Sequence, residues 1–317
     1  MWHTVVVILN SDRTQAVSTL GWVDKGSLWT TSIDEESPRT VVVSDAKYLS
    51  VFAGEKDLFA VVHHWDGGRL EISAHAYSNP QVVISRLSLR EAISGFPSRI
   101  EILREGDLRV WDDLPGAFTG YVFGEYRLIL TRHPGEEDVQ TLSWFDDSYD
   151  KSYQGIVGVA EVPDSSLLII AIQRDSHPVL YDPENRKVLR KLTLADRGGS
   201  PAFQVRAMGN EIWTADYDAM VKLDGRTLEV KGVQTVQVAH QGTRQFIGNF
   251  CFNRRQDLCF IARPFSGDAV ILDADSMTEK SRIMLGRQPL DIAVLADRKL
   301  VARDWKTGDF LFHKLDA

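Results

Sequence analysis

Long apolar runs are missing from this 317-residue chain. The apolar stretch near the start covers six residues, 4–9 (TVVVIL), and no Lys or Arg precedes it. That is too short for the apolar core of a secretory signal, and no later run approaches the length of a membrane span. We therefore expect a soluble, cytoplasmic protein with no membrane partner.

An excess of basic charge is also missing. The chain has 36 Lys and Arg against 44 Asp and Glu, which gives a formal net charge of −8. Proteins that bind the phosphate backbone of nucleic acids usually carry an excess of positively charged residues on the binding surface. The composition therefore predicts that nucleic acid is not a partner.

Cysteine is scarce, with only Cys251 and Cys259 in the chain. They flank the turn Asn253–Asp257, so a tight hairpin would place them nearly opposite each other and a disulfide is geometrically conceivable. Two thiols do not make a disulfide framework, however, and cysteine is often buried. The interpretation we favour is a pair of reduced, half-buried residues.

Local catalytic signatures are absent as well. The chain has no Gly-x-Ser-x-Gly elbow, Walker loop, His-Glu-x-x-His or paired Cys-x-x-Cys motif. The usual local signatures of hydrolase, nucleotide and metal chemistry therefore give no support for such an activity.

Short strands separated by turns are what the chain does contain. The clearest unit, residues 155–194, has four short apolar runs at 156–162, 167–172, 178–181 and 188–194. Three of these runs are rich in β-branched residues, as strands are. Clusters of Pro, Asp, Asn and Ser separate them and favour turns. Four antiparallel strands in about 40 residues make one blade of a β-propeller.

The same unit repeats along the chain with less regularity. Seven units, at a mean spacing of about 45 residues, predict an all-β fold, a seven-bladed β-propeller of four-stranded antiparallel blades, in one domain over 1–317. Residues 88–116 interrupt the rhythm, and we interpret them as an insertion between blades or as a divergent pair of strands, with runs at 100–103 and 108–111. The last unit lacks a fourth strand, so we expect residues 3–9 to complete it and close the ring. A two-domain β-sandwich would explain the strand alternation but not the period.

Three segments in the C-terminal half carry a family resemblance: Asp268–Asp273 (DAVILD), Met284–Val294 (MLGRQPLDIAV) and Asp297–Asp304 (DRKLVARD). They resemble the repeat of YVTN-type, WD-repeat-like bacterial β-propellers. In that repeat a VID strand leads through a Gly-x-x-Pro corner to IAV, then to an Asp turn and the YVTN strand. Here LVARD stands in place of the YVTN signature. The resemblance implies a propeller, a fold that serves lactonases, quinoprotein dehydrogenase subunits, surface proteins and scaffolds alike.

In a four-stranded blade, the loops between strands two and three lie at the same end as the links to the next blade. The predicted loops and links of this end are rich in His, aromatic and charged residues. The candidate residues for ligand or partner binding are His63, His64, Trp65, Asp66, Trp111, Arg132, His133, Arg174, Asp175, His177, Tyr217, His240, Arg263 and Trp305. Aromatic residues are enriched at binding interfaces.

The sequence leaves two functions open. The first is a non-enzymatic propeller that binds a partner protein or small ligand on this loop face, with no cofactor. The alternative is a metal-dependent lactonase- or lyase-like enzyme, in which His63, His133 and His177 hold a divalent metal at the channel mouth. The oligomeric state does not follow from the sequence.

Overall fold

The computed structural model describes residues 5–9, 13, 15–20, 27–33, 39–42, 46–53, 57–64, 70–76, 79–89, 97–105, 118–123, 126–132, 156–172, 178–182, 187–192, 204–216, 218–236, 247–304, 306–307 and 309–315. Every regular element in this part is a β-strand, and the strands pair in antiparallel sheets. None of it is a helix with the length and apolar character needed to cross a bilayer. The chain divides into two compact units, Met1–Ser94 with Gly248–Ala317, and Gly95–Ile247.

The unit built from both ends of the chain contains three four-stranded sheets and one three-stranded sheet among its described strands. Their orders are β1-β2-β3-β4, β5-β6-β7-β8, β20-β21-β22-β23 and β24-β25-β26. The strands are β1 (Val5–Leu9), β2 (Gln15–Leu20), β3 (Ser27–Ser32), β4 (Arg39–Val42), β5 (Ala46–Ala53), β6 (Asp57–His64), β7 (Leu70–Ala76), β8 (Asn79–Leu89), β20 (Phe250–Phe252), β21 (Leu258–Arg263), β22 (Asp268–Asp273), β23 (Glu279–Met284), β24 (Pro289–Leu295), β25 (Lys299–Asp304) and β26 (Phe310–Lys314).

The unit formed by the middle of the chain contains two four-stranded sheets and one three-stranded sheet in its described part. Their orders are β12-β13-β14-β15, β16-β17-β18-β19 and β10-β11-β9. The strands are β9 (Pro97–Glu105), β10 (Phe118–Phe123), β11 (Tyr126–Arg132), β12 (Ile156–Glu161), β13 (Leu168–Ile172), β14 (Val179–Asp182), β15 (Lys187–Lys191), β16 (Gln204–Met208), β17 (Glu211–Asp216), β18 (Ala219–Asp224) and β19 (Val230–Thr235).

The sheets β16–β19 and β20–β23 share one turn design between their third and fourth strands. Oδ1 of Asp224 accepts hydrogen bonds from the amides of Arg226 and Thr227, both at 2.9 Å. Oδ1 of Asp273 accepts in the same way from the amides two and three residues later, at 3.1 and 2.9 Å. These amide donors, with a lysine near each carboxylate, hold the pKa of both aspartates well below the usual range. The spacing Asp-x-x-Ser/Thr is therefore a folding signal of the repeat.

Burial follows the position of a strand in its sheet. The third strand β22, DAVILD, is buried at five of its six positions, whereas the outer strand β23, EKSRIM, is exposed at five of six. An apolar strand buried on both faces must be covered on both sides, so the sheets pack face to face. One core cluster joins Phe260, Ile271 and Val294. Each fully buried aliphatic side chain stabilises the fold by roughly 1.5–3 kcal/mol.

The prediction that residues 3–9 complete the last sheet is wrong. Strand β1 pairs along its whole length with β2, from Val5 opposite Leu20 to Leu9 opposite Ala16, and so becomes part of the first sheet. It also packs against β24 and β25 of the last sheet. The physical reason is proximity, because a short connection costs little loop entropy and consecutive strands pair most readily. In the described part of the chain, the last sheet therefore has three strands.

Part of the expected insertion at 88–116 belongs to a sheet. Ser88 and Leu89 end β8, and β9 pairs with β11. Residues 90–96 and 106–117 lie outside the described part of the chain. The placement of β9 gives the sheet of β10 and β11 a third strand.

The two cysteines are not joined by a disulfide, and they do not face each other. Cys251 pairs with Phe260, whereas Cys259 pairs with Phe252, so the thiols lie one register step apart. Adjacent positions on a strand point to opposite faces of the sheet. The expectation that they lie nearly opposite is corrected by this one-residue offset. The favoured interpretation of two reduced residues agrees with the structure, in which Cys259 is buried and Cys251 half-buried.

Candidate functional site

The turn between β21 and β22 is closed by a buried ion pair. Nε of Arg263 donates to Oδ1 of Asp268 at 2.7 Å, and a second guanidinium nitrogen bonds Oδ2. Each residue is 4% exposed. Bidentate pairing of this kind fixes both position and orientation. Arg263, a candidate binding residue, thus lies beneath the surface and supports the turn above it.

The same turn is tied to the link that follows β23. The carbonyl of Gly267 accepts from the amides of Leu285 and Gly286, at 2.9 and 3.0 Å. Gly267 has a φ of +72°, and a Cβ at this position would come within 2.9 Å of the Arg287 carbonyl oxygen. Glycine is therefore required here both by its backbone conformation and by the close approach of the link.

Asp304 holds the turn that follows β25. Oδ1 accepts from the amides of Lys306 and Thr307, at 2.9 and 2.7 Å, while Oδ2 accepts from the amide of Gln288 at 2.8 Å. Burial would raise the pKa of this carboxyl, but the amides of Thr307, Gln288 and Lys306 outweigh it and lower the pKa. One carboxylate thus joins the turn after β25 to the link before β24.

A second ion pair lies at the exposed edge of this network. Arg287 pairs with Asp309, and Oγ1 of Thr307 donates to Asp309 at 2.9 Å. Both charged side chains are about half exposed, at 50% and 56%. The link, the turn and the start of β26 are therefore connected through side chains as well as through the main chain.

Arg303 lies below the turn and is fully buried. Its guanidinium carbon is 4.4 Å from the centre of the Phe310 ring, and Asp291 is its cross-strand neighbour. Burial lowers the pKa of Arg303 to about 10, against the opposing effect of Asp309, Asp291 and Asp304. Arg303 therefore stays protonated at neutral pH as a fixed positive charge among carboxylates.

We refer to residues 263–268, 284–288, 304, 306, 307 and 309 together as the loop surface. Two large apolar side chains are exposed on it, Met284 at 68% and Phe265 at 40%. Met284 is the cross-strand partner of Asp268, so both side chains belong to the same end of the sheet. The loop surface therefore combines a hydrogen-bonded polar frame with exposed apolar groups.

Few of the predicted binding residues have described side chains. His63 and His64 end β6 and Arg132 ends β11, with backbone positions only. The others, apart from Arg263, lie outside the described residues: Trp65, Asp66, Trp111, His133, Arg174, Asp175, His177, Tyr217, His240 and Trp305. Among the side chains that are described, no group of three His, Cys, Asp or Glu could hold a metal ion.

Sequence reasoning missed Asp304, Arg287 and Met284 as residues of this surface. Asp304 and Thr307 have the same Asp-x-x-Ser/Thr spacing as the turns at Asp224 and Asp273, so the capping role of Asp304 could have been found. Nothing in the sequence indicates that Met284, the last residue of an outer strand, is exposed beside the turn of Phe265.

The chain is similar in structure to the β-propeller domain of Cps50 (Swd1) from Myceliophteria thermophila. The superposition has a TM-score of 0.66 and covers 100% of this chain and 97% of that domain, at 10% sequence identity. No protein-family model matches the chain, and no curated protein matches it in sequence. A likeness at this identity shows the fold alone. The chain is a β-propeller of antiparallel sheets, which confirms the propeller architecture predicted from the repeat.

Proposed function

We propose that this β-propeller is a binding protein without catalytic activity, which holds a partner protein or small ligand on the loop surface. The exposure of Met284 and Phe265 at one end of a sheet carries the proposal. Large apolar side chains exposed together mark interaction sites more often than isolated ones do. Phenylalanine and methionine are both enriched in the cores of interfaces.

The polar frame below these side chains supports the same function. Asp304, Gly267 and the Arg263–Asp268 pair fix the backbone on which Phe265 and Met284 stand. A surface that is already ordered loses less entropy when it binds. Methionine adds adaptability, since its unbranched thioether fits contacts of irregular shape.

We further infer that the sheets are the blades of one closed, seven-bladed ring with YVTN-type repeats in its C-terminal half. The full-length similarity to a propeller domain supports this inference. So does the recurrence of the Asp-x-x-Ser/Thr turn in successive sheets.

An affinity-capture experiment tests the proposed binding surface. The full chain is immobilised and exposed to host lysate beside two double variants, Phe265→Ala with Met284→Ala, and Leu189→Ala with Val230→Ala. Leu189 and Val230 are also exposed, at 44% and 39%, and they stand on β15 and β19, which contribute no residue to the loop surface. We expect the wild type and the control variant to retain the same protein or metabolite and the loop variant to lose it. Equal retention by all three would contradict the proposed surface.

A further inference from the structure

The outer edge of β26 is the second feature of the C-terminal sheets that points to a partner. In the sheets β12–β15, β16–β19 and β20–β23, a fourth strand covers the third. The last sheet has the order β24-β25-β26, and none of the described strands pairs with the far side of β26. The strand expected there, β1, pairs with β2 instead.

The register shows which backbone groups face this edge. The amide of Asp304 donates to the carbonyl of Asp309, and the amide of Leu315 donates to the carbonyl of Arg298, both at 2.9 Å. Hydrogen-bonded pairs alternate along an antiparallel ladder. Leu311 and His313 therefore bond towards β25, and the amides and carbonyls of Phe312 and Lys314 point outward.

The charge of the side chains changes from the start to the end of β26. At its start, Asp309 is neutralised by Arg287.

At the end of β26, His313 and Lys314 are exposed, and Arg298 is exposed beside them on the preceding turn. Lys299 lies on the same face as Lys314, with its ammonium 4.5 Å from the centre of the Phe312 ring. Arg298, Lys299 and Lys314 outnumber Asp297, the acidic residue described on the same turn, so the described side chains at the C-terminal end of β26 carry a net positive charge.

The middle of the edge offers apolar contact. Phe310 and Phe312 are half-buried and stacked, with ring centres 5.8 Å apart and ring planes 11° from parallel. A strand laid beside β26 would place alternate side chains against these rings. Open edges with outward amides accept extended peptides by strand addition, and side chains such as these provide selectivity.

We propose that β26 is a docking edge for an extended, acidic segment of a partner protein, which adds the fourth strand to the last sheet. The segment runs antiparallel to β26, as the fourth strand does in the other sheets, so its acidic residues lie at its N-terminal end, opposite Lys314. This site is separate from the loop surface and does not depend on the function proposed for it.

The probe is the labelled peptide acetyl-Glu-Glu-Val-Thr-Val-Thr-amide, titrated against the full chain and followed by fluorescence anisotropy. The comparison peptide carries Lys in place of both Glu residues. We expect saturable binding of the acidic peptide and at least about tenfold weaker binding of the basic one. Absence of saturable binding by the acidic peptide, or equal binding of the two, would overturn the proposal.

Variants at Lys314 distinguish backbone hydrogen bonding from charge attraction as the source of peptide binding. Lys314→Pro removes an outward amide without removing a ladder bond, since proline is tolerated where the N–H faces away from the sheet. We expect Lys314→Pro to weaken peptide binding at least about tenfold and Lys314→Ala to weaken it less. Arg226→Glu, on the exposed turn between β18 and β19, is the charge control and should leave binding unchanged. Unfolding temperatures confirm that each variant is folded. Equal losses in Lys314→Ala and Lys314→Pro, or a tenfold loss in Arg226→Glu, would show that simple charge attraction explains the binding and would overturn the proposed edge.

Two other occupants of the β26 edge predict different experimental results. If residues of the chain itself cover the edge, the amides of Phe312 and Lys314 will resist hydrogen exchange in the free protein. If a second copy covers it, the wild type will be a dimer that Lys314→Pro converts to a monomer. Either result overturns the proposal, whereas fast exchange that slows when the acidic peptide binds supports it.

Discussion

The amide of Gln288 donates a 2.8 Å hydrogen bond to Oδ2 of Asp304, sixteen residues further along the chain. Oδ1 of the same carboxylate caps the turn at Lys306 and Thr307. One buried side chain therefore sets the relative position of two segments of the loop surface.

Replacing Asp304 with Asn keeps one oxygen for the turn but presents an amide NH2 group to the N–H of Gln288. We expect Asp304→Asn to lower the free energy of unfolding by about 1–3 kcal/mol at neutral pH, because a buried donor loses its charged acceptor. Urea denaturation of the full chain measures the change. Asp273→Asn is the matched control, since that carboxylate caps a similar turn but its second oxygen faces the exposed Lys280. The free energy of unfolding should fall less in Asp273→Asn than in Asp304→Asn.

The stability difference between wild type and Asp304→Asn should depend on pH. The pKa of Asp304 is lower in the folded protein than in the unfolded chain, where it is about 3.9. Its stabilising contribution is then fully present above the unfolded pKa and disappears as the pH falls through the folded pKa. We expect the difference to be constant from about pH 7 to 5 and to shrink below about pH 4. A difference that grows on acidification would contradict the hydrogen-bonded carboxylate.

The Arg263–Asp268 pair is predicted to behave as a unit. Removing one partner leaves a buried charge, so Arg263→Met or Asp268→Leu alone should cost about 3–5 kcal/mol. The double variant should cost clearly less than the sum of the two, because no buried charge is left alone. A double-mutant cycle in urea measures the coupling. Strictly additive single effects would mean that the two side chains do not depend on each other.

The enzymatic alternative makes a separate prediction about metal. If His63, His133 and His177 hold a divalent ion, the purified protein contains stoichiometric metal that is released as the pH falls through about 6.5, where free imidazole is protonated. His133→Ala would then lose the metal, and His313→Ala, an exposed histidine on β26, would keep it. The proposed binding function predicts background metal in all three proteins. Elemental analysis of protein purified without chelator or His tag decides between them.

The single closed ring that we propose should unfold in one step. Scanning calorimetry of the full chain should show one transition whose calorimetric enthalpy equals the van't Hoff enthalpy. Two transitions that separate residues 95–247 from the rest of the chain would contradict one cooperative propeller.

Local patterns predicted the strands well, and long-range pairing less well. The runs expected at 156–162 and 167–172 are β12 and β13, because alternation and turn residues act within a few positions. The partner of β1 was not predictable from VVVIL, a run apolar enough to fit more than one sheet. The offset of Cys251 from Cys259 depends on a register that differs by one residue from the expected hairpin.

The loop surface shows the same difference between local patterns, which the sequence predicts, and long-range contacts, which it does not. The capping role of Asp304 follows from its spacing to Thr307, but its bond to Gln288 depends on how two segments meet in space. Likewise, the charge of Arg263 suggested a binding residue, and its burial against Asp268 became visible only in three dimensions. Sequence patterns indicate which residues can bond, and the packing of the sheets determines which of them remain exposed.

The most direct test of the binding function is the affinity of the captured partner for two single variants, measured by isothermal titration calorimetry. Met284→Ala removes the most exposed large apolar side chain of the loop surface, and Val230→Ala removes an exposed apolar side chain of β19. We predict that Met284→Ala weakens binding by about 1–4 kcal/mol and that Val230→Ala leaves it unchanged within about 0.5 kcal/mol. Unchanged affinity in Met284→Ala, or an equal loss in Val230→Ala, would contradict the loop surface as the binding site.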